Sequence, residues 1–218
     1  MPLPFTETEF FDVLADYNTI LWPTALTLWM VSLAVIVHFV RAGNQAVRAL
    51  CLLLAAHWAW SGIAYHAAFF ARINPAGWLF ATLFVTQAWL FVWYGILHNR
   101  LRFSTARSTR HVLAALLIAY SFAYPLLNLA LGLEYPRIPL FAVPCPTTIL
   151  TAGLLLTAER PPWILLIVPA LWSVVATSAT VLFDVWADFM LLPAAVFLVA
   201  FAIREQMARL YPRGAAHT

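Results

Sequence analysis

"ILWPTALTLWMVSLAVIVHFV", residues 20–40, decides the fold. The stretch has no acid and no arginine, and its polar residues are two threonines, a serine and one histidine. As a helix it would rise about 32 Å, at about 1.5 Å per residue, which matches a hydrocarbon core about 30 Å thick. Six more apolar stretches follow, near 46–71, 76–98, 111–133, 140–158, 161–182 and 186–203. The sequence therefore predicts an all-α integral membrane protein. Residues 1–218 form one domain, a bundle of seven transmembrane helices.

Composition points the same way. Of 218 residues, 64% are hydrophobic and only 10% charged, against about 25% charged in soluble domains. So little charge cannot cover so much apolar surface in water. The preceding segment, "MPLPFTETEFFDVLADYN", is acidic and lacks a basic n-region. It is not expected to be a signal peptide, and the first span is expected to be retained. Phe5, Phe10, Phe11 and Tyr17 alternate with carboxylates there, which suggests a short interfacial helix over 5–18.

The arginines set the orientation, since there is no lysine. With the N-terminus outside and the C-terminus cytoplasmic, the inner segments hold Arg41, Arg48, Arg100, Arg102, Arg107, Arg110, Arg160, Arg204, Arg209 and Arg213. The outer segments hold Arg72 and Arg137 alone. That asymmetry is the positive-inside pattern. Trp22, Trp78, Tyr135 and Trp186 fall at the outer belt, and Trp93, Tyr94, Trp163 and Tyr211 at the inner one. "RLRFSTARSTRH", residues 100–111, is a short loop between spans, so no nucleic-acid partner is expected. The expected partners are the lipid bilayer and other membrane subunits.

Three motifs, "PFTETEFF…YN", "YHAAFFARINPAG" and "VPCPTTILTAGLLL", resemble a family of uncharacterised bacterial multi-pass membrane proteins, a domain of unknown function. The resemblance implies a bacterial inner-membrane location. It implies no activity and assigns no residue a role.

The fifth span carries the unusual chemistry. Proline lacks an N–H and clashes with the preceding turn, but it is favoured at a helix start. Pro144 and Pro146 therefore predict a proline-broken fifth helix that begins at Pro146 and is too short to cross the membrane. Its first N–H groups, around Thr147 to Ile149, would lack partners and favour an anion. Cys145, Thr147 and Thr148 would border that spot.

Other polar groups are expected at similar depth. His66 lies a few residues below the outer end of span two. Asn128 follows Pro125 in span four. Asp188 is either a dipole-favoured residue behind an Asp184 cap or an inward-facing carboxyl. The candidate ligand-binding residues are thus His66, Cys145, Thr147, Thr148, Asn128 and Asp188. Catalytic residues are unknown. His66, Cys145 and Asp188 are the candidate metal set. A haem is not expected, because His57 and His66 fall on opposite sides of one helix. Cys51 and Cys145 are too far apart in depth for a disulfide. Gln87 is expected to bridge helices.

Three functions suit this pattern. The first is an outward-facing polar pocket that binds or transports a small ligand or ion. The second is a membrane-embedded enzyme that uses Cys145 and His66, as a nucleophile with its base or with a metal. The third is a structural subunit of a larger membrane complex.

Overall fold

The computed structural model describes residues 4–106 and 108–210. Arg107, Tyr211 and Arg213 lie outside the described residues, as does the side chain of Arg209. Among the described residues the chain forms seven α-helices and no strand. These are α1 (Glu7–Ala42), α2 (Val47–Trp60), α3 (Ala76–Phe91), α4 (Thr109–Ala130), α5 (Pro144–Thr157), α6 (Ile164–Leu182) and α7 (Leu191–Leu210). Five helical stretches are long and apolar enough to cross a membrane, and the first of them, Glu7–Arg72, contains both α1 and α2. The two are joined by a 3₁₀ turn at Gly43–Ala46 and pack side by side. Gly43 stands at φ +56°, where a side chain would be strained.

The separate interfacial helix expected over 5–18 is not formed. Residues from Glu7 onward are the first turns of α1, which runs unbroken for 36 residues through Pro23. At about 1.5 Å per residue it is about 54 Å long, well beyond what a bilayer core needs. Its start is fixed by a capping box. Glu9 N donates to Thr6 Oγ1 at 3.2 Å, and Thr6 N donates to Glu9 Oε2 at 2.7 Å. Phe5 and Phe10 stack across that box at 6.4 Å, a hydrophobic staple.

The fifth helix is short, as expected, but begins two residues earlier. Val143 is the cap and Pro144 the first helical residue. Both prolines fit because the first donors of a helix have no partner in any case. Apart from half-buried Cys145, every residue of α5 is buried. It is the central post of the bundle, packed by α2, α4, α6 and α7. A helix that is apolar all round belongs in such a place. Gly153 lets α4 come close, since a Cβ there would meet Ala114 O at 2.9 Å and Ile118 Cγ1 at 2.8 Å. The outer helices turn apolar side chains such as Leu26, Leu116, Leu126 and Val181 outward.

Two ends of different charge result. At one, the loops interlock: Glu159 N donates to Arg102 O at 2.8 Å, Ser104 N to Thr157 O at 2.9 Å, and Phe103 N to Asn44 Oδ1 at 3.2 Å. Arg100, Arg102, Arg110 and Arg160 share a cleft there with Glu159 and Glu205. At the other end Asp12 pairs with Arg137, and Asn18 Nδ2 donates to Pro136 O and Ile138 O, each at 2.6 Å. Trp22, Trp78, Tyr135 and Trp186 are exposed near this acidic end, and Trp93 and Trp163 near the arginine end.

Candidate functional site

Below the acidic end lies a cavity of about 240 Å³. A single water needs about 10–15 Å³ on the same measure, so the cavity has room for a small organic solute. His66, Cys145 and Asp188, brought from three separate elements, all line it. The walls are otherwise mostly apolar and aromatic, with Tyr65, Phe70, Phe80 and Trp172 prominent. Phe5 and Phe10 cover it from the α1 side, and Phe10 stacks on Phe183 at 4.6 Å. The capping box of α1 therefore also holds part of the cavity's wall.

His66 sits in a π-helical turn, Ser61–Ala67, that prolongs α2. Ala68 N bonds to Ile63 O, five residues back, at 3.1 Å. A wheel drawn at 3.6 residues per turn fails here, and such π turns concentrate at functional sites. Gly62 makes the turn compatible with α3, since a Cβ there would come within 3.0 Å of Phe84 Cβ and 3.1 Å of Ala81 O. The imidazole is fully buried, and neither ring nitrogen has a hydrogen-bond partner. Its neighbours are rings: Phe84 at 4.7 Å, Trp172 at 4.9 Å and Phe80 at 5.5 Å. Trp172 Nε1 is likewise buried and unpartnered.

Asp188 lies in a 3₁₀ turn, Trp186–Met190, ahead of α7. It is only 2% exposed, and the Tyr124 hydroxyl donates to its Oδ1. The inward-facing alternative is the one realised. Asp184 is exposed at φ +53° and precedes the turn, so it is not a helix cap sharing a face with Asp188. The Cys145 thiol lies beside Asp188, Tyr124 and Trp172.

Three of the expected ligand-binding residues are not in this wall. Thr147 points the other way, 3.3 Å from Ser61 Oγ and 3.4 Å from His57 Nδ1. Thr148 Oγ1 donates back to Pro144 O at 2.9 Å. Asn128 Nδ2 donates to Tyr124 O at 3.1 Å, one turn back along α4. The expected row of free N–H groups is also absent. Thr147 N already bonds to Val143 O at 3.3 Å, so the helical ladder starts there. Pro144 and Pro146 have no N–H, which leaves Cys145 as the one residue of the first three that carries a donor. An α5 N-terminus of this make-up is a poor anion site.

A metal is not supported by the geometry either. Among the described residues no three of the His, Cys, Asp and Glu side chains are arranged to hold an ion. His66, Cys145 and Asp188 share a wall without converging on a point.

Sequence reasoning missed Tyr124, Trp172 and the aromatic cover. Tyr124 stands one turn before Asn128, so a polar face on α4 was readable. Nothing in the sequence marked Trp172 apart from the other nine tryptophans. It also missed a second polar cluster, where His57 Nε2 lies 2.8 Å from Ser32 Oγ while its Nδ1 faces Thr147. Gln87 does bridge helices, with Nε2 donating to Leu165 O at 3.0 Å.

No curated protein and no solved structure matches the chain. A family model matches residues 7–211, and the chain belongs to that family, a family of unknown function, DUF6064.

Proposed function

We propose that this is a seven-span protein of the bacterial inner membrane, with its acidic end outside and its arginine end in the cytoplasm. In this reading the cavity at the acidic end binds a small ligand, for capture or for passage across the membrane. The single observation that carries the reading is His66, fully buried on the cavity wall with both ring nitrogens unpartnered. A buried polar group without a partner costs about 1–3 kcal/mol. A ligand that bonds the imidazole recovers that cost, and no side chain nearby does so.

The enzyme reading has less support. A nucleophile needs its base within hydrogen-bond reach. Cys145 lies beside Asp188, and the His66 nitrogens bond to neither.

The test is binding of solutes of one shape and three charges. These are choline, its neutral isostere with carbon in place of nitrogen, and the anion tert-butylacetate. Each is titrated by calorimetry into purified wild type and into Ala176→Phe, which fills the cavity from its α6 wall. Wild type should bind at least one of them saturably, and Ala176→Phe should bind none. The reading fails if none binds wild type at up to about 1 mM, the affinity that corresponds to about −4 kcal/mol.

A further inference from the structure

We infer that the cavity's ligand is a small organic ammonium cation. The inference rests on the binding-cavity reading above and deepens it.

Charge comes first. The cavity wall holds one carboxyl, Asp188, and no arginine. Both arginines of the acidic end are engaged elsewhere. Arg137 pairs with Asp12, and Arg72 lies over the Phe69 ring at 4.5 Å. The same end carries Glu7, Glu9, Asp12, Asp16, Glu134 and Asp184 besides Asp188. A cleft lined by one sign of charge concentrates ions of the opposite sign at its mouth. The α5 N-terminus does not offset this, because prolines take two of its first three N–H groups.

The walls come second. Phe70, Phe80, Trp172 and Phe183 are among the rings that face the space. The faces of such rings attract a cation, and most strongly when it is desolvated, which is how aromatic cages hold quaternary ammonium groups. A carboxyl buried among rings stays ionised only beside a partner charge and otherwise takes up a proton. Tyr124 supplies one hydrogen bond to it, and an ammonium group would supply the counter-charge.

His66 comes third. A neutral imidazole offers one acceptor and one donor. Both are unused, and both are at the cavity wall. They suit a cation that also carries a hydroxyl or an N–H, as choline and small alkylammonium ions do. An apolar solute would leave both groups unpaired.

The experiment uses the same three probes on the full-length protein in detergent, with the variant Asp188→Asn added. Choline should bind wild type roughly tenfold or more tighter than its neutral isostere, the size expected of a desolvated cation–π and charge contribution. Asp188→Asn should lose that preference while still binding the neutral isostere. If Asp188→Asn does not fold, the double variant Phe80→Leu and Phe183→Leu replaces it, with the same loss expected. If the isostere or tert-butylacetate binds wild type as tightly as choline, the cation inference is overturned and the binding cavity stands. If none of the three binds, both readings are overturned.

Discussion

Tyr124 of α4 donates its phenolic hydrogen to Asp188, in the 3₁₀ turn before α7, and both side chains are buried. Residues 64 apart in sequence thus tie two helices together at the cavity wall. Tyr124→Phe removes the donor and leaves the carboxyl buried without it. Leaving a buried acceptor unsatisfied costs about 1–3 kcal/mol. The expected result is a loss of stability of about that size in thermal unfolding. Asp188→Leu with Tyr124→Phe should lose less than the sum of the two single changes, because each single change orphans a partner. Strict additivity would show that the pair does not interact.

The π-helical turn at Val92–Leu97 is tested by Gly95→Ala. An added Cβ would run into Cys51 Sγ in α2 and lie 2.6 Å from Cys51 Cβ. Overpacking of this kind costs about 1–3 kcal/mol. Cys51→Ala should rescue the variant only in part, since it removes the sulfur contact while the Cβ stays. Cys51→Gly should restore part of the stability, less about 1 kcal/mol for glycine inside a helix. A full rescue by Cys51→Ala would mean that the sulfur alone, not the backbone approach, sets the limit.

Hydrophobic run lengths made the helices legible, and the PCP motif made α5's shortness legible, because proline chemistry is local. The exact start of α5 was not readable, since proline is equally tolerated at several first-turn positions. The meeting of His66, Cys145 and Asp188 at one cavity followed from their shared depth. Their spacing within it did not, because the π turn at Ser61–Ala67 breaks the period on which a helical wheel depends. Thr147 was misjudged for a similar reason. Depth says nothing about azimuth, and a start two residues earlier changes both the donors left free and the way each side chain faces. Phe5 is the instructive miss. "PFTETEFF" contains both the capping box and the staple in plain view, yet the cavity they help cover is formed only in three dimensions.

That cover yields a third prediction. Phe5 precedes the cap, so Phe5→Ala removes a wall of the cavity without touching the helical ladder of α1. Its edge-on contact with Phe70 at 5.5 Å and its contact with Phe183 at 5.8 Å would be lost. The expected outcome is faster exchange of any bound probe, with thermal stability lowered only slightly. Thr6→Ala, which breaks the box itself, should lower stability by about 1 kcal/mol and loosen the same wall. Unchanged probe exchange in both variants would separate the α1 terminus from the cavity.

The fourth prediction concerns the loops at the two ends of the bundle. Ala106 stands in the arginine-end loop that pairs with residues 157–159, and Glu134 in the loop beside the Asp12–Arg137 pair, and both are exposed. Arginine in short loops is retained on the cytoplasmic side during insertion, whereas acids carry little weight. In spheroplasts, a membrane-impermeant maleimide should therefore label Glu134→Cys at once and Ala106→Cys only after permeabilisation. Native Cys51 is buried against Gly95 and Cys145 is half-buried on the cavity wall, so the parent protein with both native cysteines supplies the background. Labelling of Ala106→Cys first would put the acidic end, and the cavity with it, in the cytoplasm. Prompt labelling at both sites would put these loops on one side of the membrane and overturn the seven-span reading.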